Sequence, residues 1–183
     1  EDIEYVVASA GDRFTKLADE EIDVLIRTTT WTTSRDADLN ADFAGINFYD
    51  GQGMLVNTDA HADADSIMKL DGAKVCTTTG TTTEGNLADY FTTNDLTYEV
   101  VGVADDGQAM EKFKAEDCTA WTGDMSNMVA QQWAVGNDAN VTFGMAIMPE
   151  LLSKEPLGAA TRDNDADWNE VVTWVWYGML TAE

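Results

Sequence analysis

From residue 73 to about residue 135, β-like runs alternate with stretches whose apolar residues recur at helical spacing, and this alternation restricts the fold more than any other feature. Strands are predicted at 73–77, 98–103 and 119–122. Helices are predicted at 82–91, where Leu87, Tyr90 and Phe91 share a face, in the segment that turns Met110 and Phe113 inward, and from 124 to about 135. Strands that return only after a helix must run parallel, with the helices packed over them, so the fold class is α/β.

The flanking pieces belong to something else. Upstream, residues 12–18 read as a helix with Phe14, Leu17 and Ala18 on one face, and 22–26 as a buried strand. Two short apolar runs at 45–49 and 54–57 are separated by DGQG, which reads as turn or hinge chemistry. Downstream, a helix from 167 to about 180 carries Trp168, Val171, Val172, Val175 and Met179 as a stripe expected to be core. The order suggests two lobes: residues 1–53 and 157–183 in lobe one, residues 54–156 in lobe two, with crossings near 51–55 and 149–158. Ligands of open α/β sheets bind beyond the carboxyl ends of the strands, so a cleft between two such lobes is the expected site.

Charge narrows the partners. With 34 acids against 10 bases the formal net charge is -24, which repels phosphate backbones and argues against nucleic acid. The acids are spread through every loop, as expected of a surface kept dispersed in salt rather than of a cation-binding patch. No stretch approaches the roughly 20 consecutive apolar residues that span a bilayer. The chain begins without Met on EDIEYVVASAGDRFTKL, which reads as entry partway through a fold, in a processed chain or a fragment. Cys76 and Cys118 each fall in a short β-like segment. In an exported protein they suggest a disulfide, and in the cytosol two free buried thiols.

Two threonine-rich runs are the candidate binding devices. In CTTTGTTTE, Gly80 permits a tight turn after the strand, Thr81 is a good N-cap, and Glu84 completes a capping-box pattern. The amides of Thr82 and Thr83 then fall in the first helical turn, at the positive end of the helix dipole, where a carboxylate or phosphate is favoured. The plain alternative is a capped helix start that meets only water, and Glu84 repels an anion unless it is tied back. In RTTTWTTSR, Arg35 offers a planar fork for a carboxylate and Thr30 a hydroxyl and an amide; the alternative is a surface Arg paired with Asp36 or Asp38. Asp124 reads equally as a ligand contact or as a helix N-cap.

The segments RFTKLADEEIDVLIRTTTWTTSRDADLNADFAGINFYDGQGMLV, AKVCTTTGTTTEGNLADYF, CTAWTGDMS and SKEPLGAAT, in that order, resemble the periplasmic amino-acid-binding proteins of ABC transporters, in particular the general L-amino-acid-binding branch. The resemblance covers nearly the whole chain but only part of the family's usual length: the first strand and helix of lobe one and the C-terminal end have no counterpart here. It implies the two-lobed type II periplasmic binding protein fold with a ligand cleft between the lobes. It implies that Arg35 clamps the ligand's α-carboxylate with Thr30 assisting, that the main chain of Thr28 serves the ammonium, that the Thr82 amide reaches the carboxylate, that Thr78 stands at a polar contact position, and that Asp124 pairs with the ammonium. It also implies a Cys76–Cys118 disulfide, a periplasmic location, a monomer, and delivery to an inner-membrane permease with its ATPase. No cofactor is implied.

Other motifs carry less. DAHADAD at 59–65 places the one histidine, His61, among acids, which usually describes a solvated loop. DNDADWNE at 163–170 begins like a calcium loop, but Trp168 stands where the loop needs Gly and Trp174 where it needs Glu. No nucleophile elbow, Walker loop or cysteine metal pair is present. The alternative to a receptor is an enzyme of the same fold, as in dehydratase relatives, or a sensing domain of a signalling chain.

Overall fold

A computed structural model describes residues 3–182. The elements in chain order are α1 (Arg13–Ala18), α2 (Thr33–Asp38), β1 (Ala41–Asn57), β2 (Ala73–Thr78), α3 (Thr82–Thr93), β3 (Tyr98–Val103), α4 (Asp106–Lys114), β4 (Ala120–Asp124), α5 (Met125–Gly136), β5 (Met145–Ile147), β6 (Lys154–Arg162) and α6 (Ala166–Ala182). The chain divides into two compact units, Glu1–Tyr49 with Glu155–Glu183, and Asp50–Lys154. Among the described residues no helix is long and apolar enough to cross a membrane.

In the unit Asp50–Lys154 the strand order is β3-β2-β4-β1-β5: β2 is the middle of three parallel strands, with β3 on one side and β4 on the other; β1 lies antiparallel beyond β4, and β5 antiparallel beyond β1. The chain thus leaves β2 outward to β3 and returns past it to β4, which makes β2/β4 a topological switch point. Side chains alternate across the sheet and feed two cores. Leu87 and Phe91 of α3 pack with Met54, Val56, Val75 and Ala120. Ala109 and Phe113 of α4 and Met128 and Val135 of α5 pack with Leu55, Cys76 and Trp121 on the other face. Cys76 and Cys118 are bonded as a disulfide inside that second core, with their Cα atoms 5.7 Å apart.

DGQG is not a turn. It lies inside β1, a single strand of 17 residues, and its glycines serve close approach. A Cβ on Gly51 would come within 2.7 Å of the Leu151 side chain, and one on Gly53 within 2.9 Å of Met125 Cε. Gln52 between them is fully buried.

In the other unit Leu17, Leu25, Ala41, Phe43 and Ala160 form the core, and β6 pairs with the first part of β1. The strand expected at 22–26 is reduced to one antiparallel bridge, Leu25 to Ala160. The next bridge joins Thr30 to Leu157, so one chain advances two residues more than its partner and the ladder breaks. Ile26, in the surplus, is 68% exposed. Gly158 lies where a Cβ would stand 2.6 Å from the Gly45 carbonyl oxygen, a contact with backbone that no rotamer relieves. Gly158→Ala is therefore expected to cost about 3 kcal/mol in a urea unfolding titration.

The α6 stripe is not core. None of the described residues of α6 is buried; Val171, Val175 and Met179 are exposed and Trp168 is 37% exposed. The helix docks instead through Asn169, Val172, Thr173 and Trp176, a face with helical spacing held by polar bonds. Asn169 Nδ2 donates to the Asp42 carbonyl (3.1 Å) and to Thr161 Oγ1 (3.0 Å), and Thr173 Oγ1 to the Ala44 carbonyl (2.9 Å). The Trp176 ring lies against Gly45. These bonds set the rotation of α6 about its axis, and hydrophobic periodicity does not record them.

Candidate ligand-binding site

The residues singled out in the sequence fall into two groups, one in each unit. In the first, the Thr28 and Thr30 carbonyls each hold a guanidinium, from Arg13 and Arg35, that lies over the Phe14 ring. The Thr32 side chain caps the short helix α2 by accepting from the Arg35 amide (3.2 Å), so the guanidinium leaves the first turn from a fixed base. Arg35 is 7% exposed; its Nη1 donates to the Thr30 carbonyl (2.8 Å) and its guanidinium carbon lies 5.5 Å from the centre of the Phe14 ring. Arg13, at 2% exposure, repeats the arrangement: Nη1 donates to the Thr28 carbonyl (2.9 Å) and the guanidinium carbon is 5.2 Å from the same ring. The Thr30 hydroxyl donates to the buried carboxylate of Glu155. Charged residues among the described buried positions are Arg13, Arg35 and Glu155. A chain of net charge -24 thus buries an excess of positive charge here.

In the other unit, the turn after β2 is built as its residues suggest. Gly80 takes φ +72°, a left-handed conformation that costs glycine nothing. Thr81 Oγ1 accepts from the Glu84 amide (3.3 Å) and donates to the Thr78 carbonyl (2.7 Å). Glu84 is tied back: its carboxylate accepts from the Gly80 amide (3.0 Å). Thr82 opens α3. Asp124 ends β4, the strand beside β2; the register Val75 to Ala120 and Cys76 to Trp121, carried three residues on, sets Asp124 level with Thr79. Thr78 and Thr82 thus flank the turn at the carboxyl end of β2, and Asp124 stands at the carboxyl end of the neighbouring strand β4.

Asp124 does occupy the N-cap position of α5, but its side chain makes no capping bond there. Asp50 supplies that service from β1, accepting from the Ser126 amide (3.4 Å) and hydroxyl. Gln52 fixes the rest: its Nε2 donates to the Thr83 carbonyl and to Thr122 Oγ1, both at 3.0 Å, and Thr122 Oγ1 donates to the Gly53 carbonyl (2.7 Å). One buried amide thus ties the first turn of α3 and the end of β4 to β1.

Sequence reasoning missed Arg13, Asp50, Gln52 and Glu155. Arg13 had a usable signal, being one of only four arginines in an acidic chain. Gln52 and Asp50 were hidden inside DGQG. His61, set among acids in the sequence, has its Nε2 2.8 Å from Thr119 Oγ1, and partial burial lowers its pKa.

No family model matches the chain. It is 44% identical over 181 residues to the glutamate/glutamine/aspartate/asparagine-binding protein BztA of Rhodobacter capsulatus, covering 99% of this chain and 52% of that protein. It is 40% identical over 182 residues to the general L-amino acid-binding periplasmic protein AapJ of Rhizobium johnstonii, again 99% of this chain and 51% of the relative. Among solved structures, a periplasmic binding protein from Brucella ovis with glutathione bound superposes with a TM-score of 0.86 at 43% identity, over 93% of this chain and 52% of that one. An ancestral arginine-binding protein bound to arginine, at 24% identity and a TM-score of 0.80 over 97% of this chain and 74% of its own, shares the fold. The chain spans about half the length of the curated relatives it matches. Over nearly all of its residues it is a homologue of the amino-acid-binding periplasmic proteins of ABC transporters, and it has their type II α/β fold.

Proposed function

We propose that the protein is a non-catalytic periplasmic receptor that binds L-amino acids as a monomer and delivers them to an ABC permease driven by its ATPase. The observation that carries this reading is the opposite charge of the two groups: buried, carbonyl-anchored Arg35 in one unit, and Asp124 at the end of β4 in the other. A zwitterion needs a fixed cation and a fixed anion. Arg35 takes the α-carboxylate, with the Thr82 amide assisting and Thr78 lining the same turn; Asp124 takes the ammonium. The Thr28 carbonyl already accepts from Arg13, and its second lone pair serves the ammonium. A ligand that binds one conformation better than another shifts the population toward it, and a permease can read that shift. The Cys76–Cys118 disulfide fits an oxidising compartment such as the periplasm.

Polar L-amino acids are the expected ligands. BztA is named for glutamate, glutamine, aspartate and asparagine, and the glutathione of the Brucella ovis structure presents a free α-amino-acid head on its γ-glutamyl end. The same clamp accounts for both. Calorimetric titration of the full chain with these four amino acids and glutathione is expected to show one site. Asp124→Ala should weaken it by about 100-fold. Unchanged affinity in that variant, or conversion of the bound compound to a product, would count against this reading.

A further inference from the structure

We infer that Glu155 is a positioning residue of the amino-acid site, acting through Thr30; this rests on the reading of Thr30 and Arg35 as ligand-holding residues. Glu155 is 2% exposed and accepts the proton of the Thr30 hydroxyl. The route is short: Thr30 bridges Leu157 across the antiparallel pair, and Glu155 is two residues back on the same strand and face. Thr30 is thus gripped twice, its side chain by an anion and its carbonyl by the Arg35 guanidinium (2.8 Å). Network members run in series: carboxylate, hydroxyl, main chain, cation.

The choice of a carboxylate matters. An ionised carboxylate only accepts, whereas a hydroxyl has a single proton to give. Glu155 therefore takes that one proton and fixes the Thr30 side chain, so Thr30 assists the ligand carboxylate through its amide and not through its hydroxyl. A glutamine at this position can accept or donate, and leaves two hydroxyl orientations where there was one. The sign of the effect separates this role from plain electrostatics. Neutralising Glu155 increases the buried positive charge, so a purely electrostatic role predicts tighter binding of a ligand carboxylate. A positioning role predicts weaker binding.

The test is calorimetric affinity for L-glutamine and L-glutamate in the full chain, with thermal melts as a check on folding. Glu155→Gln is expected to lose about tenfold in affinity in the wild-type background and less than about twofold in a Thr30→Val background. Unchanged or tighter binding, or the same loss in both backgrounds, overturns the inference. Should Glu155→Gln not fold, the hydroxyl side reads the same contact: Thr30→Ser should bind about tenfold more tightly than Thr30→Val, and equal affinity in the two overturns it. A wild-type protein that binds no L-amino acid overturns the receptor reading and this inference together. Wild-type binding with an unaffected Glu155→Gln overturns this inference alone.

Discussion

Arg35→Ala is expected to weaken binding of an L-amino acid by roughly three orders of magnitude, about 4 kcal/mol. The loss has three sources on the same side chain. The ligand carboxylate loses its charge-assisted partner, the Thr30 carbonyl loses the 2.8 Å bond that fixes it, and the Phe14 ring loses the guanidinium that lies over it. Arg35→Lys keeps the charge but has neither the planar fork nor the flat face that stacks on Phe14, so it should recover only part of the affinity. Calorimetry at fixed salt checks both variants. Affinity within tenfold of wild type for Arg35→Ala would remove Arg35 from the site.

Loss of the disulfide is expected to have the largest effect on stability. Cys76 and Cys118 are 42 residues apart in sequence, and their bond lies in the core that α4 and α5 share with the sheet. Opening a loop of that length releases about 4 kcal/mol of unfolded-state entropy in the chain-entropy account. For a chain of this size the melting temperature should fall by roughly 8–16 °C. A Cys76→Ala, Cys118→Ala double variant, or melts with and without reductant, provides the measurement. An unchanged midpoint would mean that the crosslink adds nothing to the packing already around Trp121 and Phe113.

Much of the sheet-forming unit was legible in the sequence, because there local pattern and tertiary environment agree. The β3 segment is found at the predicted residues, and the turn after β2 is built from Gly80, Thr81 and Glu84 as their chemistry suggests. DGQG failed as a turn for a specific reason. Glycine answers both to backbone freedom and to close approach, and only the positions of Leu151 and Met125 tell which applies. The α6 stripe failed because hydrophobic periodicity assumes that the apolar face turns inward, whereas Asn169 and Thr173 bind β1 carbonyls and turn the helix another way. Residues 22–26 have strand composition but pair through the single bridge at Leu25, since the two surplus residues before Thr30 lie in the partner alignment and not in the segment itself. At the candidate site, Arg35 and Asp124 were visible as charges beside turns, and the family resemblance gave them roles. Glu155, Gln52 and Asp50 were not visible, because their function is to hold other residues, and that depends on contacts up to 125 positions away in sequence.

The central claim is the proposal that Arg35 and Asp124 read the charged head of an amino acid, and head-group chemistry tests it most directly. The measurement is calorimetric affinity of the full chain for its tightest L-amino acid, for the N-acetyl derivative of that amino acid and for its α-amide. The first modification removes the ammonium assigned to Asp124, and the second removes the carboxylate assigned to Arg35. The account predicts that only the free zwitterion binds well, with each modification costing about 100-fold or more. Equal binding of all three, or binding of none, would contradict it.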